Sequence, residues 1–142
     1  MKVALVSLNQ SWEDKEANRL KVRNCFQTIA FRNMDLVIFP EMTLTGFTMN
    51  VKEHAEEAEN SATIRFFTDC ACQYGVYIGF GMILKAGIKA ANHFIIVSPE
   101  GEMCADYIKI HPFSYAGEDR FYEKGKHLTS LEIQGVPIGL SI

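Results

Sequence analysis

Apolar and polar residues alternate at the start of the chain and then recur at helical spacing. Residues 2–8 (KVALVSL) alternate, which predicts a strand with one buried face. Residues 12–33 carry acidic side chains first and then apolar positions three or four apart, which predicts an amphipathic helix. Its apolar positions are Leu20, Val22, Cys25, Phe26, Ile29 and Ala30, and its candidate N-caps are Ser11 and Asp14. Residues 35–39 (DLVIF) are apolar without alternation, so we expect a strand that is buried on both faces.

A loop and a second helix follow this buried strand. The run EMTLTGF over 41–47 predicts the loop, because a proline directly before it ends the strand. Residues 60–75 predict a helix that begins at Asn60 or Ser61 and stops at Gly75. The apolar face of this helix holds Ile64, Phe67, Ala71 and Tyr74.

The rest of the chain predicts strands that follow one another with few helices between them. We expect strands over 76–84, 92–98, 103–110, 128–133 and 136–142, a connection over 85–91 and an irregular loop over 111–125. Strands that first alternate with helices and then run in sequence predict one α/β domain over residues 1–142, built on a mixed sheet. Because the later strands are apolar on both faces, we also expect one sheet face to need further chain or a partner to cover it.

Composition and charge narrow the classes of partner. The net charge is -3, from 14 basic and 17 acidic residues, so we expect no nucleic acid partner. Apolar runs stay well short of the roughly 18 residues of a membrane span, and residues 1–16 show no signal-peptide cleavage site. We therefore expect a cytoplasmic protein that does not bind a membrane.

The four cysteines and four histidines do not predict a metal site. Cys70 and Cys72 form C-A-C, which is tighter than the C-x-x-C spacing of zinc and redox sites. The histidines show no paired ligand spacing. We expect the cysteines to be buried or half-buried thiols; the alternative is that one of them is a nucleophile. These cysteines are Cys25, Cys70, Cys72 and Cys104.

Glu41 stands at a position where α/β proteins place chemistry. It follows the predicted buried strand by one residue past Pro40, at the carboxyl edge where open α/β sheets bind ligands. A carboxyl group in a dry site would be suited to act as a general base near neutral pH. The alternative is a solvated carboxylate in a loop.

Lys109 and Glu118 form a second candidate pair. Lys109 lies near the end of a predicted strand, in DYIKIH, with apolar neighbours on both sides. Such a lysine supplies a fixed positive charge to a cavity, or it lies at the surface with its stem on apolar residues. Glu118 follows nine residues later and either pairs with Lys109 or stays solvated. We also expect Glu41 and Lys109 to lie on neighbouring strands.

Three segments, taken in order, resemble the nitrilase superfamily of carbon–nitrogen hydrolases: FPEMTLTGF, DYIKIHPF with the following FYEKG, and GVPIGLSI. The resemblance implies a four-layer αββα sandwich, of which residues 1–142 are the N-terminal part, and a Glu-Lys-Cys catalytic triad. It gives Glu41 the role of general base, Lys109 that of stabilising the tetrahedral intermediate, and Glu118 that of positioning lysine and substrate. Pro112 is a departure, since many members carry leucine there.

The resemblance places the nucleophilic cysteine directly after GVPIGLSI, hence after Ile142, and the cysteines within the chain match no nucleophile position. It implies an amidase that is interrupted before its nucleophile, so that residues 1–142 alone are inactive. It further implies a small amide and water as substrates, no metal or organic cofactor, and a homodimer or larger homo-oligomer. The motif spacing is most similar to the ω-amidase-type branch, which acts on amides of small α-keto acids.

Other interpretations stay open on the sequence. Short-chain amidases, carbamoyl hydrolases and true nitrilases share the triad. The chain could instead be a non-catalytic binding or assembly module built on the same scaffold, as the uncovered sheet face suggests. A third interpretation is that a separate chain supplies the missing half.

Overall fold

A mixed β-sheet separates a layer of helices from a β-hairpin in this protein. The structure, a computed structural model, describes residues 1–28 and 33–142. The strands are β1 (Val3–Leu5), β2 (Leu36–Ile38), β3 (Tyr77–Ala86), β4 (Lys89–Val97), β5 (Met103–Ile108), β6 (Tyr122–Glu123), β7 (Ser130–Ile133) and β8 (Val136–Gly139). The helices are α1 (Lys15–Thr28), α2 (Val51–His54), α3 (Ala62–Tyr74) and α4 (Glu118–Phe121).

The main sheet has the order β1-β2-β3-β4-β5, and β6 adds to the start of β4. β1, β2 and β3 run parallel to one another, whereas β3-β4 and β4-β5 pair antiparallel. β7 and β8 form a separate antiparallel pair. This arrangement confirms the predicted α/β class with a mixed sheet. No helix in the described part of the chain is long and apolar enough to cross a membrane.

α1 and α3 cover one face of the sheet, as the helical spacing predicts. Phe67 of α3 stacks on Phe80 of β3, with ring centroids 4.1 Å apart. The Asp14 carboxylate accepts a hydrogen bond from the Ala17 amide (2.9 Å), so Asp14 caps the start of α1. The predicted apolar positions Ile29 and Ala30 lie outside the described residues.

The ends of α3 confirm the residues that the sequence indicates. The Ser61 side chain accepts a hydrogen bond from the backbone N–H of Ile64 and caps the N-terminus. Gly75 ends the helix with φ 62°, the left-handed conformation that glycine adopts most readily.

The opposite face of the sheet packs against the β7–β8 hairpin. Its core consists of Leu36, Phe94, Ile96, Ala105, Tyr107, Ile133 and Leu140. The layers are therefore the helices, the main sheet and the β7–β8 hairpin. This order matches the first three layers of the predicted αββα sandwich. Leu36 and Val37 of β2 are 1% and 0% exposed, which confirms a strand buried on both faces.

Several predicted strands are longer than the observed ones. The strand predicted over 2–8 pairs only as β1, because its partner β2 is three residues long. The predictions over 103–110 and 136–142 overshoot in the same way, since β5 ends at Ile108 and β8 at Gly139. β5 is also not apolar on both faces, because Cys104 and Asp106 are exposed.

Two predicted loops contain regular structure. The connection expected over 85–91 is a tight hairpin, in which β3 and β4 extend to a turn at Gly87 and Ile88. Residues 111–125, expected to be irregular, contain α4 and β6. The short helix α2 was not predicted, because four residues are too few to show a helical period.

Gly81 in β3 lets the loop after β2 lie against the sheet. A Cβ atom on Gly81 would stand 2.4 Å from the Met42 amide nitrogen and 2.7 Å from the Glu41 Cα. Thr43 holds the loop there, because its N–H donates to the Gly81 carbonyl (2.9 Å) and its hydroxyl accepts from the Gly81 N–H (3.1 Å). Gly81 therefore packs directly against the loop that carries Glu41.

A half-buried carboxylate joins α1, the segment after α2 and the start of α3. Glu56 forms a salt bridge with Lys15 (2.6 Å) and accepts hydrogen bonds from the side chains of Ser61 and Thr63. Burial alone would raise the pKa of Glu56, but these donors outweigh it and hold the pKa at about 2. Glu56 therefore stabilises the fold in its charged form.

We predict that Gly81→Ala destabilises the protein, because the added methyl group meets backbone atoms that cannot rotate away. Overpacking of this kind costs about 1–3 kcal/mol. Gly139→Ala is the matched control, because no described atom lies within 4 Å of a Cβ added there. Urea unfolding measures both changes. Equal unfolding midpoints for the two variants would contradict the close approach at Gly81.

We also predict that the stabilisation by Glu56 depends on pH. Its pKa lies below the ordinary value of 4.5, so its contribution is present above that value and is lost as pH falls through about 2. Glu56→Gln should cost about 3 kcal/mol of unfolding free energy at pH 7 and little near pH 2. Glu57→Gln, at an exposed side chain, is the control. A cost for Glu56→Gln that does not change with pH would refute the linkage.

Candidate active site

Glu41, Lys109 and Glu118 meet on the hairpin side of the main sheet. The Lys109 ammonium lies 2.8 Å from Oε1 of Glu41 and 3.0 Å from Oε2 of Glu118. Each residue comes from a different segment: the loop after β2, the residue after β5, and the first turn of α4. The structure therefore brings all three residues singled out in the sequence into one ion cluster.

The cluster is mostly shielded from water. The side chains of Lys109 and Glu118 are 9% and 0% exposed, whereas that of Glu41 is 33% exposed. Lys109 is thus not a surface lysine, and Glu118 is not solvated. Burial disfavours the charged form of Lys109, but hydrogen bonds to Glu41 and Glu118 outweigh burial and raise its pKa. The ammonium group is therefore a fixed positive charge at neutral pH.

Glu41 and Lys109 do not lie on neighbouring strands, contrary to the expectation from sequence. β3 and β4 stand between β2 and β5 in the sheet. Glu41 spans this distance because its loop lies against Gly81, which brings the Glu41 backbone onto the face of β3. Where this glycine stands, a side chain would fill the space that the Glu41 backbone occupies.

The two glutamates differ in the number of oxygens that are already engaged. Oε2 of Glu118 accepts from Lys109 and from the Phe113 backbone N–H (2.5 Å), and its Oε1 accepts from Asn92 (3.1 Å). Glu41 uses Oε1 for Lys109 and Asn92, and its Oε2 accepts no hydrogen bond from the described residues. Glu41 therefore has one oxygen without a partner among the described residues, whereas both oxygens of Glu118 are engaged.

Asn92 and Phe47 also contact the ion cluster, and neither was predicted from the sequence to be part of the site. The Asn92 amide contacts both glutamates from β4 and is 1% exposed. Its signal in the sequence was a polar residue on the same strand face as Phe94 and Ile96. The Phe47 ring centroid lies 5.3 Å from the Lys109 nitrogen, at the distance of a cation–π contact.

Gln10 supports the loop that carries Glu41. Its side-chain amide donates to the carbonyl oxygens of Glu41 (3.2 Å), Met42 (2.8 Å) and Thr43 (3.1 Å). Met42 has φ 45°, which is strained for a residue with a side chain. The convergence of three carbonyls on one amide stabilises this turn and with it the position of Glu41.

A cleft of about 310 Å³ opens beside Glu41 between the main sheet and the hairpin. β2 and β4 contribute apolar walls through Ile38 and Phe94, and residues 138–142 form the opposite wall. Glu41 contributes an acidic side chain to the lining of the cleft. The segment that ends at Ile142 therefore shares one cavity with the carboxylate.

Three of the four cysteines have raised thiol pKa values, the opposite of the lowered pKa that activates a nucleophilic thiol. Burial raises the pKa of Cys70 to about 11 and raises those of Cys25 and Cys104. Cys25 and Cys70 pack in the core on the helix side of the sheet. Cys72 and Cys104 are exposed, so the expectation of buried or half-buried thiols is wrong for these two. Within residues 1–28 and 33–142, no three or more histidine, cysteine or acidic side chains are grouped so that they could hold a metal ion.

Two curated proteins that are named as amidases are similar to this chain in sequence. Omega-amidase YafV of Yersinia enterocolitica is 30% identical over 135 residues, which are 95% of this chain and 51% of that protein. The 2-oxoglutaramate amidase of Bacillus subtilis is 26% identical over 124 residues, covering 86% of this chain and 48% of the amidase. The chain spans about half the length of the curated relatives it matches.

A solved structure shows the same fold. XC1258 from Xanthomonas campestris, described as a CN-hydrolase superfamily protein, superimposes with a TM-score of 0.87 at 26% sequence identity. The match covers 96% of this chain and 51% of XC1258. The carbon–nitrogen hydrolase family also matches residues 2–142 at the level of sequence. The chain therefore belongs to the carbon–nitrogen hydrolase family of the nitrilase superfamily.

Proposed function

We propose that residues 1–142 are the N-terminal part of an amidase domain that cleaves small amides through a thioester. In this proposal Glu41 is the general base, Lys109 binds the oxyanion, Glu118 positions Lys109, and a cysteine after Ile142 is the nucleophile. We expect residues 1–142 alone to be inactive, because the proposed nucleophile follows them.

The observation that carries the proposal is the free oxygen of Glu41 at the cleft. Oε2 of Glu41 has no partner among the described residues, while Oε1 is held by a buried ammonium group. Residues 138–142 line the same cleft, so a residue that follows Ile142 starts from a position beside this carboxylate. A thiol there would have a base on one side and a fixed positive charge close to it.

The first half of the reaction forms the thioester. Oε2 of Glu41 takes the thiol proton as the sulfur attacks the amide carbon. The negative charge on the former carbonyl oxygen is met by the Lys109 ammonium group. When this intermediate collapses, the C–N bond breaks and Glu41 gives its proton to the nitrogen, which leaves as ammonia.

The second half releases the acid. Oε2 of Glu41 takes a proton from water as the water oxygen attacks the thioester carbon, and Lys109 again meets the oxyanion. The C–S bond then breaks, and the thiolate regains the proton from Glu41. The products are a carboxylic acid and ammonia, and the side chains return to their starting state.

The names of the relatives support the ω-amidase-type branch as the choice of substrate. One relative is named omega-amidase and another 2-oxoglutaramate amidase. We infer that this protein hydrolyses the side-chain amide of a small α-keto acid amide. A cytoplasmic location and a homodimer or larger homo-oligomer stay predictions that belong to this proposal.

An apolar surface favours one alternative function, a non-catalytic binding or assembly module. Val3 and Leu5 of β1 are 41% and 78% exposed although they belong to the main sheet. Under this alternative the protein binds a partner there and releases no ammonia. Ammonia release from 2-oxoglutaramate separates the two functions, because only an amidase turns over this substrate.

We predict that Glu41→Gln lowers turnover of 2-oxoglutaramate by about 10²- to 10⁴-fold, because the amide cannot take the thiol proton. The assay follows ammonia release by the complete polypeptide that the gene encodes. Glu57→Gln is the control, since that exposed glutamate lies outside the cluster and should leave turnover unchanged. Wild-type turnover in Glu41→Gln would remove Glu41 from the mechanism.

Removal of the Lys109 charge should lower turnover by about 10²- to 10³-fold. Lys109→Ala alone leaves Glu118, which is 0% exposed, without its cation and should also destabilise the fold. We therefore test Lys109→Met together with Glu118→Gln, which removes one positive and one negative charge and so leaves the net charge of the cluster unchanged. A folded double variant with wild-type turnover would contradict the role given to Lys109.

The identity of the nucleophile is tested by alkylation. Iodoacetamide should inactivate the enzyme, substrate should protect it, and mass spectrometry should find the adduct on the residue after Ile142. Trypsin cuts after Lys126, so the peptide that begins at His127 contains this position. A purified polypeptide of 16.0 kDa, or inactivation through an adduct on another cysteine, would contradict the proposal.

A further inference from the structure

We propose that Asn92 is a positioning residue that determines which oxygen of Glu41 takes the proton. It does so by bridging the two glutamates from a buried position in β4. The catalytic part of this proposal rests on the proposed function, whereas the bridge itself can be tested without any turnover.

Asn92 is tied to every residue of the ion cluster. Its Nδ2 lies 2.5 Å from Oε1 of Glu41 and 3.1 Å from Oε1 of Glu118. Its backbone carbonyl accepts a hydrogen bond from the Lys109 N–H (2.9 Å), which fixes the strand end that carries the lysine. An amide nitrogen has two N–H donors, so both are used, one for each glutamate.

The orientation of the Asn92 amide follows from charge. In the opposite orientation Oδ1 would face two carboxylate oxygens, and oxygen lone pairs would repel at these distances. In the observed orientation Oδ1 is buried and has no partner among the described residues. A buried carbonyl without a partner is unfavourable, so the two hydrogen bonds to charged acceptors hold the side chain in place.

The consequence concerns Glu41. Its Oε1 accepts from both Asn92 and Lys109, so both donors hold the same oxygen. Oε2 is therefore directed away from the bridge and is the oxygen that accepts the thiol proton. Because the amide is neutral, Asn92 adds donors next to two carboxylates without adding a further charge.

The bridge is tested by NMR of the side-chain amide groups, with the Asn92 signals assigned as those missing in Asn92→Asp. We expect the two Asn92 amide protons to have separate signals and to exchange with solvent at least tenfold more slowly than those of Asn60, which is exposed. Exchange as fast as that of Asn60 would overturn the bridge. This result does not depend on whether the protein is an amidase.

The positioning role is tested by the pH dependence of kcat/KM for 2-oxoglutaramate. Asn92→Asp keeps the shape but puts a third carboxyl group in the cluster, so one carboxyl must retain a proton until higher pH. The acidic limb should move up by about one pH unit or more, with KM nearly unchanged. Asn92→Leu should lower kcat at least tenfold, and Asn60→Asp is the control for both variants.

If the acidic limb of the kcat/KM profile of Asn92→Asp stays at the wild-type pH, the positioning role is overturned. A merely structural residue would change the amount of folded enzyme but not its pH profile. A wild-type enzyme that releases no ammonia would instead overturn the proposed function, and with it the catalytic part of this proposal. The exchange measurement would then still decide whether Asn92 bridges the glutamates.

Discussion

The pairing of Lys109 with two carboxylates in a nearly dry site is the interaction on which the rest of the site depends. An ammonium group in such a place loses its hydration, which disfavours its charged form. Glu41 and Glu118 reverse this effect at 2.8 Å and 3.0 Å, so the pKa of Lys109 rises. Glu118 itself is fully buried and depends on the lysine in return. Removing the Lys109 ammonium group would therefore leave the buried Glu118 carboxylate without a cation, which is among the most costly changes that a protein interior can undergo.

The fold serves this cluster by bringing the Glu41 loop across the sheet. Without this bend, the loop after β2 would leave Glu41 separated from Lys109 by strands β3 and β4. Gly81 provides the space, Thr43 fixes the loop to the edge of β3, and Gln10 holds three of its carbonyl groups. These residues touch no substrate in the proposed reaction. Their effect is to place a carboxylate with one open oxygen at the wall of the cleft.

Local patterns in the sequence predicted local structure well. The burial of β2, the Ser61 cap and the Gly75 stop all follow from residue types and spacing within a few positions. The strand order did not follow, and so Glu41 and Lys109 were expected on neighbouring strands.

Asn92 was missed for the same reason. Its partner Glu41 is 51 residues away in the chain, and Lys109 is 68 residues from Glu41. The spacing of polar and apolar residues does not show which polar residue of a buried strand faces a charged side chain from a distant part of the chain. A resemblance to a family named the charged residues, but the neutral donor between them became visible only through the distances.

Burial and ion pairing move the pKa of the Lys109 ammonium group in opposite directions, so this pKa shows whether the two carboxylates pair with the lysine. NMR of the lysine side chains over a pH titration measures it, with Lys109→Arg to assign the signal. We expect Lys109 to titrate above the ordinary lysine value of about 10.4, and Glu118→Gln to lower this pKa. A titration at or below the ordinary value would show that the carboxylates do not pair with the lysine.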